Sequence, residues 1–206
     1  MASRRRLAQR LEDLRLFEDP LVELEQYVTP PELAATIIHD ADLRGDLDRP
    51  VIDLGSGTGM LAIAAAVRTD QPVIGLELDE GALRVARVNA ERLGVEVGWV
   101  CGDVDPIGLC PPEDCTVIMN PPFGAQIGRR GADRAFLRTA AAVSSVSYSI
   151  HNEGSRSFIE AFVDDLDGVV THAFMAELEL PYQFAHHEEA QRVQPVEVYR
   201  IVWNGD

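Results

Sequence analysis

Val51-Ile52-Asp53-Leu54-Gly55-Ser56-Gly57-Thr58-Gly59 runs from a short apolar strand directly into a glycine-rich turn, and Leu61 to Val67 continues as an alanine-rich helix. Strand, turn and helix in this order open a βαβ crossover. The glycines are spaced Gly-x-Gly-x-Gly, whereas a dinucleotide fingerprint has Gly-x-Gly-x-x-Gly and aims a helix N-terminus at a pyrophosphate. Their missing Cβ atoms predict a floor on which a ligand lies directly against backbone. Working outward, Val73-Ile74-Gly75-Leu76-Glu77 reads as a second strand, ending in an acid at the spacing where a carboxylate receives two ribose hydroxyls. Asp79 is placed to cap a helix running through Ala82, Val85 and Val88. Val95 to Val100 reads as a third strand, with Asp103 beyond it suited to a polar contact with a base or its ribose, and Cys115 to Met119 as a fourth. A polar residue follows each strand, which predicts a doubly wound, mostly parallel sheet with one ligand lying across its carboxyl ends.

The fourth strand leads into Asn120-Pro121-Pro122-Phe123. Two consecutive prolines lack backbone N–H groups, so the turn is stiff and its carbonyls have few local partners. Asn120 adds a side-chain acceptor and Phe123 a flat apolar face. Together they suit a planar group bearing an NH2, its hydrogens on the acceptors and its ring on the phenyl. A Pro-Pro pair that merely ends a strand, with Phe123 in the core, is the plainer alternative.

Upstream, Leu7, Leu11, Leu14 and Phe17 stand at helical spacing and predict an amphipathic helix within Ala2 to Asp19. Thr29 is placed to cap a helix beginning near Pro31 and running through Ala34, Ile37 and Ile38. Downstream, a loop from Gly124 to Arg130 precedes a helix from about Ala132 to Ala142. Then come a strand over Ser145 to Ile150, a helix over Ser155 to Leu166, a strand region over Gly168 to Leu180 and a last strand over Val193 to Trp203 with a hairpin-like return to its neighbour. The expectation is one domain over residues 1–206, in which 1–45 form a helical segment covering the ligand site and 46–206 the catalytic sheet.

No run of about 18 apolar residues is present, and the Arg-rich start leads into an acidic amphipathic segment, so the expected setting is cytoplasmic, with no membrane contact. Cys101, Cys110 and Cys115 have no metal-ligand pattern and no metal is expected; His186-His187 reads as a solvated surface pair. Acidic residues number 34 against 18 basic ones, a formal net charge of −16, and every basic residue is Arg. A Lys-free acidic surface fits work in molar salt, where the Debye length is about 3 Å, and predicts a haloarchaeal cytoplasm. An acidic protein that avoids nucleic acid has the same composition, so local rather than bulk charge must decide the substrate. Locally, Arg129, Arg130, Arg134 and Arg138 cluster just beyond Phe123 with only Asp133 among them, placed for phosphate contacts or for pairing with acids along a helix face.

These motifs resemble those of the class I S-adenosylmethionine-dependent methyltransferases, with a Rossmann-like seven-stranded α/β sheet and an antiparallel last strand, and among them the Asn-Pro-Pro-aromatic amino-methyltransferases. Leu24-Glu25-Gln26-Tyr27 with Thr29, Asp53 to Gly59, Asp103-Val104, Val117 to Gly124, Asp133-x-x-Phe136-Leu137-x-Thr139-Ala140 and Tyr148-Ser149-Ile150-His151 are similar to the methyltransferase-like protein 5 family, which methylates N6 of an adenosine in small-subunit rRNA. The likeness runs from about residue 20 to the end. It implies S-adenosylmethionine as cofactor, surrounded by Gln26, Thr29, Asp53, Gly55, Gly57, Thr58, Gly59, Glu77, Asp103, Val104 and Asn120. It implies catalysis by Asn120, Pro121, Pro122 and Phe123. It also implies RNA as a partner and, as a second one, a small zinc-binding activator forming a heterodimer beside the third strand at Val95, Val97 and Trp99. The family's lysines after strand five and near Phe184 stand here as Asn152 and as His187, Glu188 and Glu189. A glutamine N5-methyltransferase of a translation release factor is the nearest alternative, since a carboxamide is also planar and NH2-bearing. The alternative outside catalysis is a cofactor-binding ribosome-assembly factor.

Overall fold

Val51–Leu54 (β1), the strand that enters the glycine turn, is buried along its whole length and pairs in parallel on both sides, with Val73–Glu77 (β2) and Thr116–Met119 (β4). Beyond β2 lies Gly98–Cys101 (β3), also parallel. Beyond β4 come Val146–Asn152 (β5), parallel, and then Arg192–Trp203 (β7), which runs antiparallel both to β5 and to Gly168–Leu180 (β6). The order is therefore β3-β2-β1-β4-β5-β7-β6. This computed structural model describes residues 3–18, 20–21, 24–108, 110, 114–122, 131–180 and 192–204.

Helices cover both faces. Arg4–Leu11 (α1), Pro31–Leu43 (α2) and Met60–Ala66 (α3) pack with Ile118, Tyr148, Ile150, Val196 and Val198 on one side. Ala132–Val143 (α5) and Arg156–Asp164 (α6) pack with Val117, Met119, Ile201 and Trp203 on the other. Alternate strand residues thus feed two cores, which is why the central strands read as continuous apolar runs. Glu80–Leu93 (α4) crosses from β2 to β3. Among the described residues no helix is long and apolar enough to cross a membrane.

Three local expectations are corrected. The first helix ends at Leu11 rather than near Asp19, because the backbone N–H and carbonyl of Arg15 are both taken by the Asn89 side chain of α4, at 2.8 and 2.9 Å, instead of by helical partners. The third strand begins at Gly98 rather than Val95. Gly94 ends α4 in the left-handed region and Val95 N–H returns to Ala90 O at 3.1 Å, so Val95 belongs to the helix end and two further residues pass before Gly98 meets Ile74. Thr29 does not cap α2: Pro30 occupies the N-cap with no side-chain hydrogen bond, and Pro31 starts the helix with its φ preset. Asp79 does cap α4, accepting from Gly81 N–H at 2.7 Å.

At the amino ends of the strands a buried ion pair and its hydrogen bonds tie three strands to the turn that carries Asp46. Arg200 of β7 donates from Nε and Nη2 to the Asp46 carboxylate at 2.7 and 2.8 Å, Tyr148 Oη of β5 donates to it at 2.7 Å, and Thr116 Oγ1 of β4 donates to the Asp46 carbonyl at 2.6 Å. Burial alone would raise the Asp46 carboxyl, but the hydrogen bonds from Arg200 and Tyr148 hold it below the usual carboxylate range.

Candidate active site

The carboxyl ends of β1, β2 and β4 open on one groove. Of the residues singled out in the sequence, Gln26, Thr29, Asp53, Gly55, Gly57, Thr58, Glu77, Asp103, Val104, Asn120 and Pro122 line it. Gly59 and Pro121 do not: Gly59 sits at the N-cap of α3, and Pro121 is buried beside the lining. Phe123, Arg129 and Arg130 lie outside the described residues, as do His186 and His187.

Asn120 follows the last residue of β4. Its Nδ2 donates to Thr29 Oγ1 at 3.1 Å, which turns the amide so that Oδ1 is left without a partner among the described residues. Asp53 is in the same condition. Its Oδ2 accepts from Ala62 N–H, in the first turn of α3, at 2.8 Å, while Oδ1 has no partner among the described residues. Burial pushes the Asp53 carboxyl up to about 8, with the Ala62 hydrogen bond opposing and the neighbouring Glu77 charge adding to the rise. Ser56 Oγ is the third buried polar atom of the lining with no hydrogen-bond partner. A buried polar atom without a partner costs roughly 1–3 kcal/mol, and three such atoms in one groove mark it as built for a polar ligand.

The other polar side chains are partly committed within the chain. Glu77 accepts from Gly57 N–H at 2.8 Å and from Asp79 N–H at 2.9 Å, which ties the end of β2 to the glycine turn. Burial raises its carboxyl and these backbone bonds oppose the rise. Gln26 accepts from Leu21 N–H at 2.7 Å and donates to Asp79 Oδ2 at 2.9 Å, so its amide holds the covering segment in place. Asp103 is exposed, and Val104 offers its carbonyl to Thr139 Oγ1 at 2.8 Å.

The glycines owe their identity to more than a ligand. Gly55 and Gly57 have φ of +69° and +53°, and a Cβ on either would come within 2.9 Å of an aromatic ring, Phe136 and Phe17 respectively. Two phenyl rings, both lining the groove, thus press on the turn as well. Phe17, which the sequence places only on an amphipathic helix, and Phe136, which it shows only within a family motif, both line the groove, and Phe136 packs in the core on the α5 side as well.

Arg134 and Arg138 of α5 are both exposed. The Arg134 guanidinium lies 5.2 Å from the Phe158 ring centroid and 5.8 Å from that of Phe162. Among the described residues neither arginine makes an ion pair, whereas Arg44, Arg49, Arg68, Arg92, Arg156 and Arg200 all do. At the β3 edge of the sheet, no strand among the described residues lies on the outer side of β3. Val95, Val97 and Trp99 are half-buried there, and the Trp99 ring covers Gly59 and Gly75 inside the chain. No group of three or more His, Cys, Asp or Glu among the described residues could hold a metal ion.

Residues 34–145 match the model of the methyltransferase small domain. The rRNA N(6)-adenosine-methyltransferase METTL5 of Danio rerio is 36% identical over 84% of this chain and 86% of its own length, and its Drosophila melanogaster counterpart 34% identical over 94% and 92%. The chain belongs to the METTL5 family of methyltransferases. In structure it is similar to PH1948 of Pyrococcus horikoshii, a candidate RNA methyltransferase, at 36% identity and a TM-score of 0.88 with 98% of each chain covered. For a METTL5-family enzyme, the groove at the carboxyl ends of β1, β2 and β4 is where the fold carries chemistry, and Asn120, Asp53 and Ser56 are the side chains that the apolar walls leave unsatisfied there.

Proposed function

We propose that this chain transfers a methyl group from S-adenosylmethionine to N6 of an adenosine in small-subunit rRNA. The observation that carries the reading is the unpartnered Asn120 Oδ1, fixed by Thr29 at the mouth of a groove whose depth holds the unpartnered Asp53 Oδ1 and Ser56 Oγ. These atoms fit the cofactor. Asp53 and Ser56 answer its amino-acid end, Glu77 and Asp103 its ribose and base, and the ring of Phe136 supplies an apolar wall. When bound, S-adenosylmethionine supplies an electrophilic methyl group on a sulfonium.

The exocyclic amine of adenine is a poor nucleophile because its lone pair is delocalised into the ring. Asn120 Oδ1, with a carbonyl of the diproline corner, accepts its N–H bonds and favours a pyramidal nitrogen with the lone pair turned toward the cofactor. Phe123 is assigned the stacking face for the extruded base. The proton leaves after nitrogen becomes cationic, so no strong general base is required. Arg134 and Arg138, with Arg129 and Arg130, are assigned to the RNA backbone, and the exposure of the first two, with no ion pair at either among the described residues, supports this. The edge of β3, unpaired among the described residues, supports a small zinc-binding activator that adds a strand there and forms a heterodimer. The Lys-free acidic composition supports a salt-rich cytoplasm as the setting, and the covering role of residues 1–45 over one catalytic domain completes the assignment.

Asn120→Ala tests the proposal. Transfer of labelled methyl to small-subunit rRNA should fall by about 10²–10³-fold, the loss typical of one preorganised polar group, while cofactor affinity changes only a few-fold. Near-normal transfer would contradict the assignment, and transfer to a release factor rather than to rRNA would redirect it.

A further inference from the structure

We propose that Asn89 is a positioning residue for the cofactor groove, whose side chain latches the segment covering the groove to the glycine turn that floors it. The proposal rests on the reading of the groove as the S-adenosylmethionine site. Asn89 lies in α4, outside the groove lining, and is 0% exposed. Its Oδ1 accepts from Arg15 N–H at 2.8 Å, and its Nδ2 donates to Arg15 O at 2.9 Å and to Thr58 O at 2.9 Å. One buried amide thus holds both backbone groups of Arg15, as a strand neighbour would, and also a carbonyl of the glycine turn.

Two residues beyond Arg15, the Phe17 ring presses on Gly57 and lines the groove. From there the segment is fastened twice more, by Gln26 to Asp79 and by Thr29 to Asn120. Among the described residues Asn89 is the side chain hydrogen-bonded both to the cover, at Arg15, and to the floor, at Thr58. The three bonds leave one rigid amide, so a shift of either partner turns that amide and strains the bonds to the other, and a ligand that orders the turn also closes the cover, and the converse. A purely structural buried Asn would lower stability when replaced but would not link ligand binding to the position of residue 15.

The test uses the full chain with S-adenosylhomocysteine as probe. Asn89→Asp keeps the shape and the acceptor for Arg15 N–H but sets a carboxylate against two carbonyl oxygens, and Asn89→Ala removes all three bonds. Binding is measured by calorimetry. Opening of the cover is followed as trypsin cleavage after Arg15, before the exposed Leu16, read by intact mass. In the wild type, saturating probe should slow this cut by about fivefold or more, since cleavage samples the open form. In both variants affinity should fall by about tenfold or more, the cut should be faster, and the probe should no longer protect. KM for S-adenosylmethionine should rise by about tenfold with kcat within about threefold.

Wild-type affinity in variants that merely melt at lower temperature would overturn the latch. So would a wild-type cut at Arg15 that ignores saturating probe, a result that needs no variant to fold. A wild-type protein that does not bind the probe at all overturns the reading of the groove itself, and the latch with it.

Discussion

Asp46 and Asp53 are both buried carboxylates, at 2% and 1% exposure, placed near opposite ends of the same strand. Asp46, toward the amino ends, is surrounded by its own chain: Arg200, Tyr148 and the charge of Arg49 answer it, and it is held ionised. Asp53, facing the carboxyl ends, receives one backbone N–H, keeps one oxygen without a partner, and is pushed up to about 8. Both are closed off from solvent, Asp53 the more deeply, and the outcomes are opposite: depth and the missing partner together raise Asp53, while its partners hold Asp46 down. The difference teaches that a buried charge completed within the fold holds segments together, whereas one left incomplete in a groove is completed by what binds there.

The largest expected effect comes from breaking the complete cluster. Arg200→Ala leaves Asp46 buried without its cation and should cost about 3–5 kcal/mol of unfolding free energy, measured by denaturant titration, with methyl transfer per folded molecule unchanged. A loss below about 0.5 kcal/mol, the level of an ordinary surface change, would remove the contrast.

The incomplete carboxylate should respond the other way. Asp53→Asn removes the cost of protonating an acid on folding, so the ligand-free protein should be no less stable near pH 7, while affinity for S-adenosylmethionine falls about tenfold, or roughly 1.4 kcal/mol. In the wild type the sign follows from the raised carboxyl. Below about 8 the folded, ligand-free chain keeps a proton that the unfolded chain has lost above about 4, so its stability declines as pH rises between those values. A cationic amine needs the carboxylate, so binding releases that proton, and affinity should rise with pH by up to about tenfold per unit below 8 and level off above it. Calorimetry from pH 6 to 8.5 measures this, and a flat profile would take the amine away from Asp53.

The smallest effect concerns the surface. Arg138→Ala, at a site with no ion pair among the described residues, should weaken rRNA binding by about three- to tenfold and lower the salt slope by about 1, with stability changed by less than about 0.5 kcal/mol. Unchanged RNA binding across a salt series would return Arg138 to the solvated surface.

Much of the groove is legible in the chain because its signals are local. Val51 to Gly59 had to be strand and turn, and Asn120 with two prolines had to stand at a strand end, since hydrophobic period and backbone restriction act over a few residues. What is not legible are roles assigned by distant partners. Thr29 reads as a helix cap until Asn120 is found at 3.1 Å, and residues 12–17 continue a helical pattern until Asn89 takes the Arg15 backbone. Nothing local tells that Phe17 and Phe136 lie against Gly57 and Gly55.

By itself, then, the sequence determined the alternation of strands and helices, the two motif-bearing turns and the methyltransferase class, because each is written in contiguous residues. Only the tertiary structure decided which polar atoms remain unpaired, that Asp46 is complete and Asp53 is not, and which side chain ties the cover to the floor. Hydrogen-bond satisfaction depends on residues tens of positions apart meeting within about 3 Å, and no local pattern encodes that meeting.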